Sequence, residues 1–111
     1  MRYPIGKFVL PDHATAATKR TEYIKNIGEL PAVVAGLAEE LKRHDLLDTP
    51  YREGGWTTRQ VIHHLADSHM NAYVRHKRIL SEDHPTMRPY DEARWAEMAD
   101  VTATPIAASL E

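Results

Sequence analysis

The chain contains no cysteine, and that single absence removes disulfides, thiolate nucleophiles and cysteine-ligated zinc from consideration. Nor is there a glycine-rich phosphate loop. Gly54–Gly55 is followed by a helix start without the further glycines or the lysine that would cradle phosphate. Ser68, Ser81 and Ser109 stand outside any Gly-x-Ser-x-Gly setting. No apolar run is long enough to span a bilayer, and MRYPIGKFVLPDH lacks the apolar core of a secretion signal. The expectation is a soluble cytoplasmic protein with no membrane partner. An excess of one charge is missing too: 14 basic residues face 16 acidic ones, for a net −2. Without a basic stripe, nucleic acid is not an expected partner. At 111 residues the chain is one domain at most, with a less favourable burial fraction than a larger one. Its helix-rich composition points to an all-α class.

What is present centres on Gly54 to Glu82, GGWTTRQVIHHLADSHMNAYVRHKRILSE. Thr57 followed by Gln60 predicts a capping box, and Trp56 with Val61 a hydrophobic staple. No glycine or proline interrupts the stretch until Pro85, which forbids continuation. At about 100° per residue, Val61, Ile62, Leu65, Ala72, Tyr73, Ile79 and Leu80 form one apolar stripe. The helix carries four of the seven histidines. His69 and His76 fall near the middle of the stripe, as partly buried, hydrogen-bonded residues. His64 lies at its edge. His63 lies nearly opposite, one turn before Asp67, where a surface ion pair is expected.

Around this helix the chain reads as follows. Residues 1–14 predict an extended arm that tucks Phe8, Val9 and Leu10 against the helices. From about Ala16 to Arg43 a seam of Tyr23, Ile27, Leu30, Val34, Leu37 and Leu41 predicts a helix packed in a bundle. Pro31 calls for a kink, or for the start of a second helix. Residues 44–56 form a loop in which Leu46, Leu47 and Tyr51 plug the bundle end. Asp91 is a fair N-cap for a short helix, with a Tyr90–Trp95 staple and with Trp95, Met98 and Ala99 facing inward. Thr104–Pro105 reads as the start of a further helix. Its early stop at Glu111 predicts a chain cut short, the alternative being a natural C-terminal stub.

The histidines make metal binding the live chemistry, since neutral imidazole is the commonest metal ligand and catalytic zinc keeps an open position beside three protein ligands. Two histidines of one helix that share an ion usually sit four apart. Here the spacings are one (His63–His64), five (His64–His69) and seven (His69–His76). None makes a self-contained site, and beyond the helix the chain adds only His84.

The segment DTPYREGGWTTRQVIHHLADSHMNAYVRHK, with RPYDEARWAEM after it, closely resembles the DinB/YfiT-like family of small bacterial proteins. The likeness runs from Tyr3–Pro4–Ile5–Gly6 through Trp95, and its most specific motif is GGWTxRQVxHHLADSHMN. The resemblance implies an up-down-down-up four-helix bundle that holds a divalent metal, zinc or nickel, on three histidines. One of these, carried over by resemblance, is His64. The other two belong to a His-x-x-x-His pair on the family's last helix, which this sequence does not contain. Residues 1–111 would then be a single DinB-like domain, C-terminally truncated: the arm, the first two long helices, a short helix and the start of the third. The implied activity is metal-dependent hydrolysis of a small molecule, or thiol S-transfer, with Asp67 or Asn71 orienting His64 or a water. The alternative is a non-catalytic module that self-associates, as a homodimer, to rebuild four helices.

Overall fold

A computed structural model describes residues 6–111, and among these it contains helices and no strand, only an isolated bridge between Pro50 and Thr57. The all-α reading holds. Helix α1 (His13–Arg43) is 31 residues long. At about 1.5 Å per residue it spans the full 44 Å length of the molecule. It starts where Asp12 accepts from the Thr15 amide at 2.7 Å. This contact holds the Asp12 carboxyl below the ordinary carboxylate range. Pro31 lies within one continuous helix, so no second helix begins there. The helix ends in a Schellman turn: Asp45 takes φ +56°, its amide donates to Lys42 O, and the Leu46 amide donates to Leu41 O.

Helix α2 (Thr58–Ser81) follows the loop, and α3 (Glu92–Trp95), α4 (Ala99–Ala103) and a 3₁₀ turn (Ile106–Ser109) complete the chain. Asp91 caps α3 as expected, accepting from the Arg94 amide. Tyr90 and Trp95 make the expected ring contact at 4.7 Å. The core is small. Ala38 of α1, Ile62 of α2 and Ile106 of the 3₁₀ turn are buried together, with Leu47 and Leu110 packed against them. No described helix is long and apolar enough to cross a membrane.

Several expectations are corrected. Of the α1 seam, Leu30, Val34 and Leu41 are half-buried, but Tyr23, Ile27 and Leu37 are exposed. The one fully buried α1 residue is Ala38, where a small side chain permits close approach. Trp95, Met98 and Ala99 do not face inward. Ala96 and Val101 are buried instead, because α3 and α4 are two separate short helices and the periodicity breaks between them. Leu47 plugs the bundle end, whereas Leu46 and Tyr51 stay exposed. Thr104 does not cap a new helix. It closes α4, its amide donating to Asp100 O at 2.8 Å, and the residues after Pro105 wind only a single 3₁₀ turn. One turn gains too few hydrogen bonds to settle into α geometry. In the arm, Phe8, Val9 and Leu10 remain at least 80% exposed. Phe8 and Leu10 line only a shallow hollow with Tyr23 and Ile27. The Tyr3–Pro4–Ile5 part of the arm lies outside the described residues.

Candidate metal centre

The start of α2 is built by the loop before it. A helix opens with four orphan amides, and here each has an acceptor. Thr57 N donates to Gln60 Oε1 at 2.8 Å and Gln60 N to Thr57 Oγ1 at 3.2 Å, closing the predicted capping box. Thr58 N donates to Thr49 O at 3.3 Å and Arg59 N to Leu47 O at 2.8 Å. The Gln60 amide also donates through Nε2 to Ala96 O at 2.8 Å, which ties the end of α3 to the same turn. Thr57→Ala removes the oxygen that accepts from Gln60 N. It is expected to lower unfolding free energy by about 1 kcal/mol, read from urea denaturation.

Arg59 grips Asp48 with both arms of its guanidinium, at 2.7 and 2.9 Å. The hydrogen bond from Arg59, and then its charge, hold the Asp48 carboxyl below the ordinary value of 3.8. A carboxyl depressed in the folded state stabilises the fold above its unfolded value, and that contribution fades as pH falls through the folded one. Asp48 is 70% exposed, so the pair is screened. Asp48→Asn should therefore cost no more than about 1 kcal/mol at pH 7. The gap to the parent chain should close below the ordinary carboxylate range, in urea titrations at the two pH values.

Directly above this start stands His64. It is half-buried, and its imidazole meets the Trp56 indole edge to face, with centroids 4.9 Å apart and planes at 61°. Among the described residues nothing hydrogen-bonds to either of its ring nitrogens. Trp56 itself lines a hollow with Tyr51, Thr58 and Val61, on the staple register that the sequence predicts. Neither Asp67 nor Asn71 bonds to His64. Asn71 Nδ2 donates instead to Asp67 O at 2.9 Å, and the Asp67 charge, after burial and Glu92, helps raise the Tyr90 phenol above its usual value.

The other histidines depart from the wheel. His63 forms no ion pair with Asp67. It is the buried one, 7% exposed, with Nδ1 2.7 Å from Ser109 Oγ and Nε2 buried without a partner. The 3₁₀ turn covers that side of α2, a contact made 46 positions along the chain. His69 and His76, expected at the centre of a buried stripe, are exposed. His76 does bond, through Nδ1, to Ala72 O at 2.7 Å. His84 stands in solvent beside Asp83. No group of three or more His, Cys, Asp or Glu able to hold a metal occurs among the described residues. His64 has the chemistry of one donor; the residues here do not complete a set. His69 instead lines an apolar groove of about 330 Å³ between α1 and α2, with Leu30, Val34, Ile62, Leu65 and Met70.

Residues 27–107 match the DinB superfamily. The "Putative metal-dependent hydrolase YfiT" of Bacillus subtilis is 47% identical over 90% of this chain and 55% of its own length. A "Putative metal-dependent hydrolase" of Geobacillus thermodenitrificans is 48% identical over 99% of this chain and 61% of its own length. The solved structure of the Bacillus subtilis protein superposes with a TM-score of 0.84 at 45% identity, over 96% of this chain and 60% of that one. It is described as "a probable metal-dependent hydrolase with an unusual four-helix bundle topology". The chain spans little more than half the length of these relatives.

Proposed function

The chain belongs to the DinB superfamily, and from that premise we propose that it is the N-terminal part of a metal-dependent hydrolase in which His64 supplies one ligand to a divalent ion, zinc or nickel. The observation that carries this reading is the half-buried His64 imidazole, with neither nitrogen committed to a hydrogen bond among the described residues, inside the stretch that matches the family. Such an ion, when bound, acidifies a water or thiol and polarises an electrophile. The remaining two donors belong to sequence not present here, on the family's His-x-x-x-His helix, and the bundle is one DinB-like domain. The substrate is a small molecule, and thiol S-transfer is an equally compatible chemistry for the same ligand set. On this reading Asp67 and Asn71, a turn and two turns beyond His64 along the helix, would orient a water there, although neither bonds to His64 itself. In a polypeptide of the relatives' length, His64→Ala should abolish zinc or nickel uptake, measured as metal per chain by atomic emission. Unchanged uptake would remove the proposal.

A second reading rests on a separate observation. Ile27, Val33 and Leu37 on α1, with Met70, Tyr73 and Val74 on α2, are all more than half exposed. Apolar rows of this kind favour pairing of two copies into a four-helix homodimer. Light scattering of the 111-residue chain distinguishes the two: a compact dimer supports self-association, and a monomer removes it.

A further inference from the structure

We propose that the hollow at Tyr51 and Trp56 binds a small organic carboxylate, its planar apolar ring seated against the two aromatic side chains and its carboxylate taken by Arg52. The loop before α2 builds this place. Tyr51 N donates to Trp56 O at 3.1 Å and Pro50 bridges to Thr57, so the two aromatic residues are held on paired backbone. With Thr58 and Val61 they line a hollow of about 360 Å³, within the size range of small-molecule sites. A smaller hollow of about 220 Å³ shares Tyr51 and Trp56 and is bounded by Arg52, Gly54 and Gly55. An apolar recess and a cationic one thus have two walls in common. Aromatic walls favour a planar ring, through stacked or edge contacts that add to the area buried.

Arg52 supplies the charge. It is half-buried, its Nε donates to Tyr51 OH at 3.1 Å and its Nη1 to Glu53 O at 3.2 Å. Its Cζ lies 5.3 Å from the centroid of the Tyr51 ring. All these partners are neutral. Arg59 and Arg78 each grip a carboxylate, whereas Arg52 forms no ion pair among the described residues, and its Nη2 has no acceptor there. Gly55 makes room for the arginine stem, since a Cβ at that position would stand 2.7 Å from Arg52 Cγ. A guanidinium that is held in place and partly withdrawn from water matches the fork of a carboxylate. The amides of the first α2 turn are all engaged, so the helix end does not compete for the anion. Shape and charge together select a ring that carries a carboxylate over a neutral ring or a bare anion.

The test is an NMR titration of the 111-residue chain with naphthylacetate, its neutral amide and acetate, read at the Tyr51 ring protons and the Trp56 indole N–H. Naphthylacetate should shift both residues saturably. Its amide should bind about threefold to tenfold more weakly, for the loss of one partly exposed charge-assisted contact. Acetate should leave both rings unmoved. Arg52→Gln should bring acid and amide to equal affinity. Arg52→Lys keeps the charge without the fork and should recover part of the preference. Tyr51→Ala should weaken both ring-bearing probes together. Naphthylacetate without effect on Tyr51 and Trp56, or equal affinities for acid and amide in the parent, would overturn the proposal. So would an undiminished preference for the acid in Arg52→Gln. If that variant does not fold, the acid–amide comparison in the parent and in Arg52→Lys decides. No metal enters these measurements, and their outcome is independent of the role of His64.

Discussion

Ile62→Ala is expected to lower the unfolding free energy by about 3 kcal/mol. Ile62 is 4% exposed and sits where α1, α2 and the 3₁₀ turn converge, against Ala38 and Ile106. Truncation removes its burial and leaves a cavity that the neighbours can only partly close. Leu47 and Leu110 could shift toward it, yet both are tethered, Leu47 through its carbonyl to Arg59 and Leu110 through its amide to Ala107. The described core holds only five buried apolar residues, Ala38, Ile62, Ala96, Val101 and Ile106. A loss of this size is therefore a large share of the roughly 5–15 kcal/mol that holds a typical domain folded. Leu80→Ala is the matched control: Leu80 is 85% exposed, and its loss should stay within about 0.5 kcal/mol. Urea midpoints of the two variants that coincide would show that the core does not lie at Ile62.

Gly55→Ala should cost about 1–3 kcal/mol, the range for inserting atoms where none fit. A Cβ at position 55 would lie 2.7 Å from Arg52 Cγ, 3.1 Å from Arg52 O and 3.1 Å from Tyr51 Cε1. The Arg52 carbonyl cannot withdraw without cost, because the Gly55 amide donates to it at 2.9 Å. Arg52→Ala in the Gly55→Ala background removes the nearest obstacle and should restore part of the loss, leaving the carbonyl clash. Gly54→Ala is a different experiment. It meets no neighbour within 4 Å but has φ +63°, so its cost, about 1 kcal/mol, arises from the backbone alone and Arg52→Ala should not relieve it. Equal behaviour of the two glycine variants toward Arg52→Ala would refute the steric account.

The features legible in the sequence were those set by residues close together along the chain. The capping box at Thr57 and Gln60, the Asp91 cap and the Tyr90–Trp95 contact each depend on residues within five positions, and each is present. The helix wheel fared less well, because it ranks the faces of α2 without saying what covers them. It placed His69 and His76 in a buried stripe, yet both are exposed, His69 on the open groove between α1 and α2. It placed His63 on the far side, which the turn bearing Ser109 happens to cross. A cue existed in retrospect, since Ile106 and Leu110 share a face and had to pack on something, though nothing along α2 named His63 as its neighbour. The assignment of His64 as a ligand rests on family likeness alone: its spacing to the other histidines gives no site, and no group of three or more metal-binding side chains occurs among the described residues.

The first turn of α2 has no unemployed backbone N–H, since Leu47, Thr49, Thr57 and Gln60 accept all four. Helix ends ordinarily fray, and their amides exchange with solvent deuterium within moments of opening. This end cannot unwind without also releasing the loop and Ala96. Deuterium uptake should therefore run along the helix from Ser81 inward, with residues 58–65 the last to exchange, and the histidine at position 64 rides on the stretch that opens least often.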